Sequence, residues 1–130
     1  MPHNPIARVL VVDDDVRILK ALKSALGRAG FDVVCAEEAA PAIALSDTSE
    51  FDIVIADYNM KASCGIDVVR HWKQLRGDLI FCAILSGEDG ETTRDECVHA
   101  GADQVFCKPV SPIELRSQLQ AAAEALRKAS

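Results

Sequence analysis

The sequence contains no Cys-x-x-Cys pair and no cluster of Lys and Arg. It also has no apolar run near the ~18 residues that a membrane-spanning helix requires. Its five cysteines, Cys35, Cys64, Cys82, Cys97 and Cys107, are odd in number and widely scattered. That argues against a disulfide framework or a zinc site and for reduced thiols in a cytoplasmic protein. They read as small apolar fillers, with Cys64 and Cys107 nearest the candidate site. Basic residues are outnumbered, 14 against 20 acidic for a net charge of -6, and are spread singly along the chain. Phosphate backbones would be repelled, so no direct grip on nucleic acid is expected. The lead Met1-Pro2-His3-Asn4-Pro5 has neither a basic n-region nor an apolar h-region, which argues against a signal peptide. Aromatics are scarce at 5%, so Val, Ile, Leu and Ala must do the packing.

What is present is a chain of 130 residues, 49% apolar, long enough to bury one real core. Apolar runs alternate with helical patterns. Arg8 to Val12 reads as a first strand, ended abruptly by Asp13-Asp14-Asp15. Val16 to Arg28 follows with Ile18, Leu19, Leu22 and Leu26 at helical spacing, and Gly30 sits where a left-handed cap belongs. Phe31 to Ala36 is a second strand and Glu37 to Asp47 a short helix, with Pro41 in its first turn. Ile53 to Ala56 is apolar at every position, as a strand covered on both faces should be. A third helix runs from Ile66 to about Leu75, a fourth strand from Leu79 to Leu85, and a fourth helix with a thin apolar stripe from Glu91 to Ala100. Gln104 to Cys107 is a last strand. Ser111-Pro112-Ile113-Glu114 is a capping box that opens a final helix with Ile113, Leu115, Leu119, Ala122 and Leu126 inward.

Strand and helix thus alternate five times, which requires parallel pairing through right-handed crossovers. The expected fold is a flavodoxin-like (βα)5 three-layer sandwich with strand order 2-1-3-4-5. Ligands in such folds gather at the C-terminal ends of the strands. Those ends carry Asp13 and Asp14, then Asp57, then Ser86, then Lys108. In this order the first and third strands are neighbours, so three carboxylates crowd one crevice, flanked by a hydroxyl and an ammonium. Crowded carboxylates call for a compensating cation, and Mg2+ suits oxygen ligands of this kind. An Asp beside Mg2+ and Lys can attack a phosphoryl group.

The set Asp13-Asp14, Asp57, Ser86 and Lys108-Pro109 is similar to that of the CheY-like receiver domains of bacterial two-component response regulators, over about Arg8 to Arg127. The resemblance implies that Asp57 is the phosphoacceptor, modified by a sensor histidine kinase or phosphotransfer protein. It implies that Asp14, Asp57 and the backbone carbonyl of Asn59 bind Mg2+, with Asp13 acting through water. Lys108 would pair with the phosphoryl group and the Ser86 hydroxyl would move to bond it. Asn59 and Glu88, with Tyr58, look like the chemotaxis receivers, which implies fairly rapid self-dephosphorylation. The expectation is one receiver domain over 1–130, with no output domain in that span. It would be a switch rather than an enzyme, monomeric or weakly dimeric, and its output contact with a downstream protein target.

Two positions depart from the family pattern. The loop Met60-Lys61-Ala62-Ser63-Cys64-Gly65 lacks the usual proline, and Val105 replaces the usual Tyr or Phe, with Phe106 expected in the core. A valine has little rotamer freedom, so coupling to the face of the fourth helix is weakened or rerouted. These departures keep open a receiver-fold binding module without regulated phosphorylation. A haloacid-dehalogenase-like phosphatase is a further alternative, with Asp13 as nucleophile in Asp13-Asp14-Asp15-Val16, although it leaves Asp57 without a role. His3, His71 and His99 read as surface residues, and Trp72 as a packing residue or partner contact.

Overall fold

The computed structural model describes residues 5–87 and 91–129, so the readings placed on His3 and Glu88 lie outside the described residues. Five strands alternate with five helices. They are β1 (Arg8–Val12), α1 (Val16–Arg28), β2 (Asp32–Ala36), α2 (Ala39–Ala44), β3 (Ile53–Asp57), α3 (Gly65–Arg76), β4 (Phe81–Ser86), α4 (Glu91–Ala100), β5 (Gln104–Cys107) and α5 (Pro112–Ala129). All neighbouring strands pair in parallel, in the order β2-β1-β3-β4-β5. The fold is the flavodoxin-like three-layer sandwich.

The continuous apolar run of β3 follows from its central position. Side chains alternate between the two faces of a sheet. Val54 and Ala56 enter the core layer shared with Ile66, Val69, Trp72 and Cys97, beneath α3 and α4. Ile53 and Ile55 enter the opposite layer with Leu19, Leu22, Leu26, Leu115 and Leu119, beneath α1 and α5. Neither face of the strand meets water, so no polar residue interrupts it until Asp57.

Local signals explain most helix boundaries. Asp15 caps α1, its carboxylate accepting the Arg17 amide, and Gly30 has φ 103°, a conformation that favours glycine. At the start of α5, Ser111 Oγ accepts the Glu114 amide at 3.3 Å. The α2–α3 pair is fixed by Trp72, which is fully buried. Its indole N–H donates to the Ala42 carbonyl at 3.2 Å, and its ring meets Phe51 edge-on at 5.5 Å. At the pole opposite the carboxylates, Lys73 Nζ lies 2.8 Å from Asp103 and donates to the Ile80 carbonyl at 2.6 Å. Asp103 accepts the Cys82 amide in turn.

Several boundaries and faces differ from expectation. The α-helix after β2 is only Ala39–Ala44, and a 3₁₀ turn over Leu45–Asp47 completes the connection. Leu79 closes a second 3₁₀ turn and is exposed; β4 starts at Phe81 and runs on to Ser86. Ile113 is 69% exposed rather than inward. It lies two residues, about 200° of helical rotation, before Leu115, and so on the opposite face. His71 is half-buried, with Nε2 2.8 Å from Ser46 Oγ. Ser46 Oγ also lies 2.7 Å from the Ile43 carbonyl, which links His71 to the end of α2.

The load on Trp72 is testable. Trp72→Ala should lower unfolding free energy by about 3–5 kcal/mol, through cavity formation and a lost hydrogen bond. Urea denaturation followed by circular dichroism measures it, and a loss below about 1 kcal/mol would mean that α2 and α3 are held by other contacts.

Candidate functional site

Four parallel strands deliver their last residues, or the residues just beyond, to one edge of the sheet. Val12 of β1 is in register with Ala56 of β3, which brings Asp13 beside Asp57. Asp57 is in register with Leu85 of β4, and Ser86 with Cys107 of β5. The Lys108 amide donates to the Ser86 carbonyl at 2.8 Å, carrying the sheet's pattern one step further. Backbone pairing therefore brings residues far apart in sequence to one edge.

The carboxylates converge closely. Asp13, Asp14 and Asp57 each offer an oxygen, and these atoms all lie within 4.8 Å of one another. Asp13 and Asp57 are almost wholly buried, at 1% and 4% exposure. Lys108 Nζ approaches both, 2.9 Å from Asp57 Oδ1 and 3.4 Å from Asp13 Oδ2. Asp13 Oδ1 accepts the Asp15 amide at 2.9 Å. Asp14 is half-buried and its Oδ2 accepts the Lys61 amide at 2.8 Å, which ties the loop after β3 to the loop after β1.

Burial pushes the Asp57 carboxyl above the usual carboxylate range; the Lys108 bond opposes this and the charges of Asp13 and Asp14 add to it. Burial also works against the Lys108 ammonium, yet its bonds to Asp57 and Asp13 outweigh this and raise its pKa. Counted formally, three carboxylates share the Lys108 ammonium, a surplus of two negative charges at the cluster. A hard divalent cation with oxygen ligands matches that surplus in charge and donor chemistry, so the residues fit Mg2+.

The loop from β3 into α3 depends on Gly65. A Cβ there would lie 2.3 Å from the Asp57 carbonyl oxygen, so only glycine permits α3 to start this close to the end of β3. The same approach brings the Gly65 amide to the Tyr58 carbonyl at 3.2 Å. Asn59 is exposed in this loop and bridges to Cys64.

The structure brings Asp13, Asp14, Asp57 and Lys108 into direct contact range, and it puts Ser86 at the adjacent strand end, 1% exposed. Cys64 is half-buried just before α3 and Cys107 is exposed just before Lys108. Sequence reasoning missed the roles of Gly65 and of the Lys61 amide. The lysine draws attention to its side chain, whereas its backbone N–H reaches Asp14, a contact 47 residues apart with no local signature.

Residues 9–120 match the family model described as the response regulator receiver domain. The chain is 33% identical over 114 residues to the transcriptional regulatory protein PrrA of Mycobacterium tuberculosis, covering 88% of this chain and 48% of that protein. It is 32% identical over 123 residues to the transcriptional regulatory protein ResD of Bacillus subtilis, covering 95% and 49%. The chain thus spans about half the length of these curated relatives. Among solved structures it resembles a CheY-like receiver domain protein from Methanospirillum hungatei, with TM-score 0.88, 25% identity and coverage of 95% and 98%. The chemotaxis protein CheY4 of Vibrio cholerae aligns with TM-score 0.83, 29% identity and coverage of 89% and 98%. With the strand-end residues, the sheet order and the family model in agreement, the chain belongs to the response regulator receiver domains of two-component signalling.

Proposed function

We propose that this receiver domain is a phosphorylation-controlled switch in which Asp57 accepts a phosphoryl group. The observation that supports it most directly is the buried Asp57 carboxylate held 2.9 Å from Lys108, with Asp13 and Asp14 at its side. Asp14, Asp57 and the Asn59 carbonyl would hold Mg2+, with Asp13 acting through water. Bound there, the ion supplies charge neutralisation and orientation for phosphoryl oxygens.

The chain's own residues do the rest. An Asp57 oxygen attacks phosphorus, the bond from phosphorus to the donor's imidazole nitrogen breaks, and the leaving nitrogen keeps the electron pair. With acetyl phosphate as donor, the bond broken is phosphorus–oxygen and acetate departs. Lys108 stays paired with the transferred group, and the Ser86 hydroxyl bonds it. No further turnover is asked of the protein: the covalent charge at Asp57 biases a conformational equilibrium, which is the output of a switch.

The donor in this reading is a histidine kinase or phosphotransfer protein, and the output partner another protein. An apolar groove of about 370 Å3 between α1 and the loop before α5 is lined by Ile18, Ala21, Leu22, Pro109 and Val110. Lys108, which contacts Asp57 and Asp13, forms part of the same wall, so the groove adjoins the site and suits docking of the phosphohistidine donor. Among the described residues no helix is long and apolar enough to cross a membrane.

Two measurements test the reading. Incubation with acetyl phosphate and Mg2+ should add ~80 Da by intact mass, one phosphoryl group with its charge. Chelation by EDTA and Asp57→Asn should each abolish the adduct; its absence from the wild-type protein would leave a receiver-fold binding module instead. Ala21→Glu, at an exposed position in the groove wall, should slow transfer from a phosphohistidine protein by about tenfold or more, because a charge enters an apolar contact. Its labelling by acetyl phosphate should match wild type, and equal effects on both donors would rule the groove out as a docking surface.

A further inference from the structure

α4 is anchored lightly. Among its described side chains only Cys97 and Ala100 are buried, and both are small. α5, by contrast, buries Leu115, Leu119, Ala122 and Ala123. Hydrophobic stabilisation scales with buried apolar area, so single polar contacts weigh more heavily in the position of α4.

One such contact originates beside the acceptor. Tyr58 follows Asp57 directly, and its hydroxyl donates to Glu96 Oε2 on α4 at 3.2 Å. The Tyr58 backbone is held on both sides: its amide donates to the Leu85 carbonyl at 2.8 Å, and its carbonyl accepts the Gly65 amide at 3.2 Å. The ring therefore moves with the strand end that carries Asp57. It packs, with Cys64, against the core layer that contains Cys97 and Val105. Val105 is buried there and its branched side chain has few rotamers to exchange. Tyr58, the chain's single tyrosine, is the aromatic ring that spans from the site to α4.

We propose that the Tyr58–Glu96 hydrogen bond is a latch that holds α4 while Asp57 is unmodified and opens when Asp57 is phosphorylated. The proposal rests on phosphorylation at Asp57 and adds the path by which it reaches the outer face. A phosphoryl group brings about -1.5 to -2 charge to the residue next to Tyr58. That charge repels the Glu96 carboxylate, and accommodating the group shifts the backbone from which the ring projects. α4 then loses this polar contact and, among its described side chains, keeps Cys97 and Ala100 as buried anchors.

The test is hydrogen–deuterium exchange of α4 amides in the full chain, with intact mass recorded on the same samples. Wild-type protein phosphorylated by acetyl phosphate and Mg2+ should exchange about three- to tenfold faster in α4 than the unphosphorylated protein, the scale of one lost hydrogen bond. Unphosphorylated Tyr58→Phe and Glu96→Ala should already show that faster exchange, while Glu96→Gln, which keeps an acceptor oxygen, stays near wild type. Exchange in β1 and β3 should be unchanged in all variants, which separates the latch from general loss of stability. If the adduct forms and α4 exchange does not change, or if both variants match unphosphorylated wild type, the latch is overturned while Asp57 phosphorylation stands. Failure of wild type to gain the adduct overturns the phosphoacceptor reading and the latch with it.

Discussion

An electrostatic imbalance governs the functional edge of this molecule. Asp13, Asp14 and Asp57 are drawn together by strand register, and Lys108 is the ammonium that reaches Asp13 and Asp57. The interior offers weak dielectric screening, so two surplus charges are costly there. Asp57 stands on a strand residue paired with Leu85 and Asp13 follows directly on β1, so parallel pairing holds these two carboxylates near one another. Burial raises the Asp57 pKa and the charges of Asp13 and Asp14 add to it; the same surplus of negative charge is what a divalent cation fits.

Around this cluster the chain is built tightly on one side and loosely on the other. Gly65 lets α3 begin against the Asp57 carbonyl, and Trp72 locks α3 to α2. Lys73 and Asp103 pin the far ends of β4 and β5 to α3. In α4 the buried residues among those described are a cysteine and an alanine, and Glu96 reaches back to Tyr58. A charge added at Asp57 therefore meets rigid surroundings toward α3 and weakly held ones toward α4.

Periodicity carried the five strands and five helices because each is buried on defined faces, and Asp15, Gly30 and Ser111 marked helix ends through local hydrogen bonding or backbone conformation. It failed where an apolar residue served no core face. Leu79 extends an apolar run in sequence yet closes an exposed turn, and Ile113 is apolar but lies opposite the buried stripe of α5. The strand-end residues Asp13, Asp57, Ser86 and Lys108 were legible because an abrupt change from apolar to polar at a strand's end locates them. Gly65, the Lys61 amide and the Tyr58–Glu96 contact were not, since each depends on how two distant segments approach.

Alternating apolar runs and helical stripes were enough, through the handedness of parallel crossovers, to specify the sandwich and to assign the chemistry-bearing side chains to one edge of it. Their mutual distances lay beyond that information, because they follow from register and from the docking of loops, which no local pattern encodes. Only the folded chain brings Lys108 within 2.9 Å of Asp57, turns the Lys61 backbone toward Asp14 and lets Tyr58 reach α4. Sequence carries the inventory of charges; tertiary packing sets the separations on which their interaction energy depends.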